Sequence, residues 1–172
     1  SLPVIFGLMA ASVLVLNVFL RVVTTGVEAP PQAPVRTAAP ALAQPSGTRF
    51  GESIALIGYE IVAPNVSAGG TLSITLAWEV RAPLATSYTA FNHLRTVDGT
   101  LVAQYDGLPL QGLAPTTCWR PDQVLVDTVT ITLPEVLPPG PYALVTGWYD
   151  YDTGDRLPIT GPGATPNGEF TL

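Results

Sequence analysis

The sequence contains no lysine, one cysteine and one histidine among its 172 residues. The single cysteine, Cys118, excludes an internal disulfide bond and a thiolate metal cluster. One histidine and one cysteine also fall short of the ligand set that a transition-metal site needs. We therefore expect the protein to work without a cofactor.

Basic charge is scarce as well. Seven arginines stand against 13 acidic residues, which gives a formal net charge of −6. From residue 46 onward, 5 arginines and 12 acidic residues leave a charge of −7. Affinity for nucleic acid comes largely from basic side chains that neutralise phosphates, so a nucleic-acid partner is excluded. Electrostatic binding to anionic lipid is not expected either.

A long apolar run stands at the start of the chain. Residues 2–20 contain no charge and two polar side chains, Ser12 and Asn17. With residues 21–23 they supply about 20 residues, enough to cross roughly 30 Å of hydrocarbon. A signal peptide is the alternative, but no basic region precedes the run. Residues 1–23 are therefore predicted to form one membrane helix.

Small side chains in this run predict how the helix contacts its neighbours. Such residues let the backbones of two membrane helices approach closely. The expected partners are membrane lipids and other membrane protein subunits. The candidate packing residues are Gly7, Ala10, Ala11 and Ser12.

Proline and alanine dominate residues 24–48, with five and six copies respectively. Proline removes a backbone donor and fixes φ, which disfavours both helix and sheet. We predict a Pro/Ala-rich linker that holds the following domain away from the membrane. The linker, the acidic lysine-free surface and the β pattern that follows favour the periplasmic or extracellular side of the cell membrane.

Residues 49–172 change to a period of two. In "LSITLAWEV" (72–80) the apolar side chains fall on one face of a strand, and Gly58 is a candidate β-bulge in another run. The other predicted strands are 53–62, 87–96, 100–105, 123–133, 141–149 and 168–172. Short strands separated by Gly, Pro, Asn and Asp turns predict an all-β fold, an antiparallel β-sandwich that is Ig-like or jelly-roll-like.

One turn carries a specific prediction. Asp98-Gly99 lies between two alternating runs in "TVDGTLVAQ". The pair suits the positive φ angles of a two-residue type I′ turn. Residues 87–96 and 100–105 are therefore expected to form a β-hairpin.

The stretch "WYDYDTGDRLP" (148–158) raises the question of a metal loop. Counted from Asp150 against an EF-hand calcium loop, the fifth and sixth positions are Gly154 and Asp155, so the register fails. A looser Ca²⁺ site that uses Asp150, Asp152 and Asp155 is the alternative. We favour a hairpin in which Asp152 caps the turn and Gly154 takes positive φ.

Candidate catalytic groups are few. A Ser-His-Asp or Cys-His system needs a nucleophile within reach of its base, and no motif surrounds His93 or Cys118. A lone histidine in a strand usually hydrogen-bonds a carboxylate or the backbone. Carboxylates for glycoside hydrolysis fall mostly in turns, where Asp is common: Asp98, Asp106, Asp127 and Asp150. We expect no enzymatic activity.

Aromatic residues offer a different chemistry. Their rings stack on the apolar C–H faces of sugars when they are exposed. Alternation assigns Trp78 to the core, and Trp148 is expected there too. Trp119, Tyr149 and Tyr151 lie in or beside predicted loops. These three are the candidate ligand contacts, and a glycan is the candidate ligand.

An ordered set of segments covers most of residues 54–158 and resembles one known domain. The segments are "LIGYEI", "LSITLAWEV", "YTAFNHLRTVDGTLVAQYDGLP", "PTTCWRPDQVLVDTVTITLP" and "PPGPYALVTGWYDYDTGDRLP". The set resembles a β-sandwich at the C-terminus of bacterial polytopic membrane glycosyltransferases of the dolichyl-phosphate-mannose-mannosyltransferase-like class. The resemblance implies an extracytoplasmic accessory module and carries over no catalytic residue. The single membrane helix predicted here departs from the polytopic pattern.

Two functions are expected from these observations. The first is a non-catalytic, single-pass, membrane-anchored sandwich that serves as an accessory or assembly subunit of a larger membrane complex, for example an energy-transducing one. The alternative is the C-terminal accessory or glycan-binding module of a glycosyltransferase that uses lipid-linked sugars.

Overall fold

The computed structural model describes residues 35–36, 41–62 and 66–172. This part of the chain is all-β, and every strand pairing in it is antiparallel. The strands are β1 (Val35–Arg36), β2 (Gln44–Phe50), β3 (Ile54–Val62), β4 (Thr71–Val80), β5 (Tyr88–Thr96), β6 (Leu101–Gly107), β7 (Val124–Thr132), β8 (Tyr142–Asp150), β9 (Ile159–Thr160) and β10 (Glu169–Thr171). A turn at Pro109–Gly112 and a 3₁₀ turn at Thr116–Cys118 lie between β6 and β7.

The strands form two sheets. One has six strands in the order β1-β7-β4-β3-β2-β9, and the other has four in the order β10-β8-β5-β6. Their inner faces pack together through aromatic rings, with the Trp78 and Trp148 centroids 5.0 Å apart. The predicted β-sandwich is therefore present as two antiparallel sheets around one core. Its finer class, Ig-like or jelly-roll-like, stays a prediction.

The core follows the alternation seen in the sequence. Trp78 and Trp148 are fully buried, as predicted, and Phe50 packs edge-on against Trp78 with ring centroids 5.5 Å apart. All seven predicted strands are present. The bulge at Gly58 is confirmed, because the pairing of β3 with β4 shifts register between Leu56 and Gly58.

The prediction that residues 24–48 hold no strand is wrong in two places. β1 pairs with β7, and most of β2 lies within that range and pairs with both β3 and β9. The proline at position 45 is accommodated because the β2–β3 register shifts between Pro45 and Thr48, and irregular positions are where strands tolerate proline. The sheet therefore begins before residue 49, where the sandwich was expected to start.

The β5–β6 hairpin is present, but its turn differs from the prediction. The Gly99 amide donates to the Thr96 carbonyl at 3.0 Å, so Val97 and Asp98 are the two central residues. Gly99 has φ +89°, whereas Asp98 is not at positive φ, as a type I′ turn would require. The pairing also shifts register between Leu94 and Arg95. One extra residue and a bulge replace the tight two-residue loop.

Among the residues that the structure describes, no helix is both long and apolar enough to cross a membrane. The predicted membrane helix at 1–23 lies outside those residues. So do its candidate packing residues, Gly7, Ala10, Ala11 and Ser12, and the helix stays a prediction.

Candidate functional site

The outer face of the four-stranded sheet carries a row of hydrogen-bonded polar side chains. Because side chains alternate along a strand, β5 points Ala90 and Leu94 into the core and Phe91, His93 and Arg95 outward. β5 lies between β8 and β6, so these outward side chains stand near the middle of the sheet.

Two arginines share one carboxylate on this face. Glu169 of β10 accepts hydrogen bonds from Arg95 Nη1 on both oxygens, at 3.0 and 3.1 Å. Arg156 Nη1 donates to Glu169 Oε2 at 2.9 Å. The Glu169 side chain is only 11% exposed, so the two guanidinium groups compensate a charge that is largely removed from water.

His93 continues this row of hydrogen-bonded side chains towards β6. Its Nε2 lies 2.9 Å from Asp106 Oδ1, and its Nδ1 lies 3.2 Å from Arg95 Nη2. A guanidinium group can only donate, so Nδ1 accepts and Nε2 carries the proton that it donates to Asp106. The expectation that a lone strand histidine contacts a carboxylate is confirmed. We call Arg156, Glu169, Arg95, His93 and Asp106 the charged ladder.

An aromatic ring lies beneath the ladder. The Arg156 guanidinium carbon is 4.5 Å from the centroid of the Phe91 ring, a cation–π distance. Gly147 of β8 makes room for the ring, because a Cβ at that position would lie 2.4 Å from Phe91 Cζ. Phe91 is 1% exposed although it points away from the core. The ladder therefore stabilises the sheet face and keeps its members in fixed positions.

One end of the ladder opens into a groove of about 550 Å³. Asp106 belongs to both, since it binds His93 and lines the groove. The other lining residues come from the start of β5 and the segment before it, from the end of β6 and the residue after it, and from the end of β8 and the turn after it: Thr86, Ser87, Thr89, Gly107, Leu108, Tyr149, Asp150, Tyr151 and Asp152. We call this the tyrosine groove, because Tyr149 is half-buried in it and Tyr151 is 76% exposed at it.

The groove is acidic. Three of its lining residues are aspartates, Asp106, Asp150 and Asp152, and none of the described lining residues is basic. Burial raises the pKa of Tyr149, and the nearby Asp106 and Tyr151 raise it further. The Tyr149 phenol therefore keeps its proton at neutral pH and can donate a hydrogen bond. Carboxylate acceptors, phenol groups and exposed ring surface thus meet in one place.

The turn after β8 has the hairpin geometry that was favoured over a metal loop. The Asp150 amide donates to the Asp155 carbonyl at 2.9 Å, and Gly154 has φ +78°. Asp150, rather than Asp152, caps the turn, since its Oδ1 accepts from the Asp152 amide at 2.9 Å. Asp150 takes this role because it is the last residue of β8. Within the described segments, no group of three or more His, Cys, Asp or Glu side chains is placed to hold a metal ion.

The prediction that Trp119 contacts ligand at the surface is wrong. Trp119 is 4% exposed, and its ring packs edge-on against Trp148 with centroids 5.5 Å apart. Its indole N–H donates to the Ala114 carbonyl at 2.9 Å. The Pro-rich loop folds back onto the core at this point, which leaves the neighbouring Cys118 exposed.

Of the three aromatic candidates, the structure brings Tyr149 and Tyr151 together in the tyrosine groove. Sequence reasoning considered His93 and Asp106 singly and missed Arg95, Arg156 and Glu169. The period of two in β5 places residues 93 and 95 on one face, which was an available signal. The partners from β10 and from the segment after β8 depend on the sheet order, which no local pattern reveals.

No family model and no curated protein matches the chain. Among solved structures, the chain is similar to a crystal structure of the C-terminal domain of Wzt. The two are 13% identical with a TM-score of 0.44, and the alignment covers 77% of this chain and 81% of that one. At this identity and TM-score the likeness carries no argument about function.

Proposed function

We propose that this domain is a non-catalytic binding module that holds a neutral glycan in the tyrosine groove. The observation that carries the proposal is the meeting of Tyr149 and Tyr151 with three aspartates around a groove of about 550 Å³. That volume is within the ordinary range for small-ligand sites. Tyrosine rings offer a surface for the C–H faces of a sugar, and carboxylates accept strong hydrogen bonds from its hydroxyl groups.

The charge of the groove favours a neutral sugar over an acidic one. Asp106, Asp150 and Asp152 would repel a uronate or a sulfate, and the chain as a whole carries a net charge of −6. The ladder supports the same proposal, because His93 holds one oxygen of Asp106 at 2.9 Å. The carboxylate is thereby pre-organised, which reduces the entropy lost when a ligand binds.

The binding role is preferred to a catalytic one because of how His93 is engaged. Its two ring nitrogens both have partners within the ladder, Arg95 and Asp106. A general base needs a free nitrogen within hydrogen-bond reach of the proton that it removes. The groove is therefore proposed to bind a sugar without transforming it.

The test is direct titration of the full chain with sugars selected from a glycan array. Tyr151→Ala removes the most exposed ring of the groove, and we expect it to weaken binding at least tenfold. Val136→Ala is the matched control, since Val136 is 81% exposed and does not line the groove. The proposal fails if the wild-type chain binds no sugar on a broad array, or if both substitutions change affinity equally.

The proposed setting is the extracytoplasmic face of the cell membrane, with residues 1–23 as the anchor. In one version the domain is the C-terminal module of a glycosyltransferase that uses lipid-linked sugars, where the groove would hold a glycan near the transferase. Intact-mass measurement of the native polypeptide tests this version. Further membrane helices before residue 1 would support it, and a mass near 18.0 kDa would oppose it.

A second candidate function is that of an accessory or assembly subunit of a larger membrane complex. One observation favours it: Val97 and Leu101, at the tip of the β5–β6 hairpin, are 76% and 48% exposed. β6 is also the last strand of its sheet, so one backbone edge can pair with a partner. The subunit should co-purify stoichiometrically with its complex and be lost when residues 1–23 are replaced. Retention after that replacement would argue against assembly through the helix.

A further inference from the structure

We propose that a second subsite adjoins the tyrosine groove and that the ligand is therefore a glycan chain rather than a single sugar. This inference rests on the proposed function and specifies the ligand that the same site takes. It starts from a second depression, also of about 550 Å³, that lies beside the end of β6. We call it the Gln111 subsite, after the residue at its mouth.

The two depressions share a wall. Leu108, directly after β6, lines both of them and is 39% exposed. Asp106 and Gly107 face the tyrosine groove, whereas Tyr105 faces the Gln111 subsite. A ligand that fills one depression and extends past Leu108 therefore enters the other. A linear chain of sugar units has the shape to do so.

The turn that carries Gln111 is held in a strained conformation. Leu110 and Gln111 have φ of +51° and +57°, a left-handed region that residues other than glycine rarely adopt. Such a conformation is unfavourable for these residues and persists where the surrounding structure enforces it. Here Asp127 Oδ2 accepts the Leu110 amide at 3.2 Å and fixes the turn. The turn leaves Gln111 exposed beside the subsite.

The lining chemistry suits further neutral sugar units. None of the described residues that line the Gln111 subsite carries a charge. The Gln111 amide can donate to one hydroxyl and accept from another, and the Tyr105 ring offers an aromatic surface. The subsite differs in this respect from the acidic tyrosine groove. Groups that can hydrogen-bond to sugar hydroxyls therefore lie on both sides of Leu108. This arrangement is expected for a site that binds a single uncharged glycan chain.

The experiment measures affinity against chain length. The full chain is titrated with linear oligomers of one to six units from three neutral series: β1,4-linked glucose, α1,6-linked mannose and β1,4-linked N-acetylglucosamine. For the series that binds, we expect affinity to rise at least tenfold as the oligomer becomes long enough to pass Leu108. Gln111→Ala should remove that rise and leave the affinity of the shortest ligand unchanged.

Two further variants keep the test decisive. Gln111→Gly also deletes the side chain but suits the positive φ, so it serves if the alanine variant folds poorly. Gln44→Ala is the control, because Gln44 is an exposed glutamine on β2 that lines neither depression. Affinity that is independent of chain length, or an equal loss at every length in the Gln111 variants, would overturn the second subsite and leave the proposed function standing. Absence of binding at every length in all three series would instead count against the proposed function.

Discussion

Asp127 illustrates, at the scale of one residue, how burial sets a charge state. It lies on β7 at the side of the core, and burial raises its pKa, while the amides of Leu110 and Thr128 oppose that shift. The carboxyl therefore binds its proton more tightly in the folded than in the unfolded chain. Its contribution to stability is present below the unfolded pKa, about 3.9. It is lost as the pH rises through the folded pKa.

The prediction concerns Asp127→Asn, which cannot ionise but keeps an oxygen that can accept from Leu110. Relative to this variant, the wild-type free energy of unfolding should fall as the pH rises above the ordinary carboxyl range. Urea unfolding of both proteins from about pH 3 to pH 7 measures the difference. A difference that does not change with pH would contradict the raised pKa of Asp127.

Asp127→Leu, which also loses the acceptor for the Leu110 amide, should be destabilised by about 1–3 kcal/mol.

Substitutions at Trp119 and at Tyr151 are expected to have opposite effects on the stability of the fold and on sugar binding. Trp119 packs on Trp148, so Trp119→Ala should lower the free energy of unfolding by about 3–5 kcal/mol and leave the sugar affinity of the remaining folded protein unchanged. Tyr151 is 76% exposed, so Tyr151→Ala should change stability by less than about 0.5 kcal/mol and weaken sugar binding at least tenfold. Chemical denaturation and calorimetric titration of both variants measure the two effects. If Trp119→Ala lost sugar binding without losing stability, the result would indicate that Trp119 contacts the ligand.

At the scale of elements, the charged ladder ties β10 to β5. Glu169 is the acceptor for both Arg95 and Arg156, so Glu169→Gln leaves two guanidinium groups without their full partner. We expect a loss of about 2 kcal/mol in the free energy of unfolding. Urea unfolding at neutral pH provides the measurement.

A matched control is available on the six-stranded sheet. Glu79 pairs with Arg81 at 2.6 Å, but their side chains are 27% and 47% exposed. Exposed pairs contribute little, so Glu79→Gln should cost less than about 0.5 kcal/mol. Equal losses of unfolding free energy in the Glu169 and Glu79 variants would mean that the ladder stabilises the fold no more than an exposed ion pair does.

Strands with a buried and a solvated face could be predicted from the sequence, and their pairing only in part. β4 and β7 alternate clearly because each has one such face, and β5 is recognisable from its apolar content. β2 was not predicted because the prolines in its segment indicated a linker. A register shift beside Pro45 accommodates that proline in the strand. The ladder was not predicted because the pairing of Arg95 with Glu169 depends on β10 returning beside β8.

The same reasoning explains which parts of the candidate site could be foreseen. Tyr149 and Tyr151 were identified because a loop position next to a strand predicts exposure. Trp119 was misassigned on that same basis, since a loop can fold inward when a ring finds an aromatic partner and a carbonyl for its N–H. The Leu110–Gln111 turn gave no signal, because left-handed φ angles at residues other than glycine are enforced by tertiary contacts such as the one with Asp127.

At the scale of the whole molecule, charge makes a prediction about ligand class. The chain carries a net charge of −6, and the tyrosine groove adds three carboxylates at the point of contact. A uronic-acid oligomer should therefore bind at least tenfold more weakly than the neutral oligomer of the same linkage. Raising the salt concentration should narrow that difference, because counter-ions screen the repulsion. Titrations at two salt concentrations measure both effects, and tighter binding of the acidic oligomer would refute the assignment.

If the tyrosine groove is the binding surface of this domain, a bound glycan changes the surroundings of its backbone amides. The change in backbone amide NMR signals of the full chain, when the tightest-binding neutral oligosaccharide is added, measures this effect. We expect the largest changes to cluster at Gly107, Asp150 and Tyr151, with little change at Arg49 on β2 and Thr160 on β9, which lie at the far edge of the six-stranded sheet and line neither depression. Changes centred on β2 and β9, or spread evenly over the molecule, would contradict this assignment.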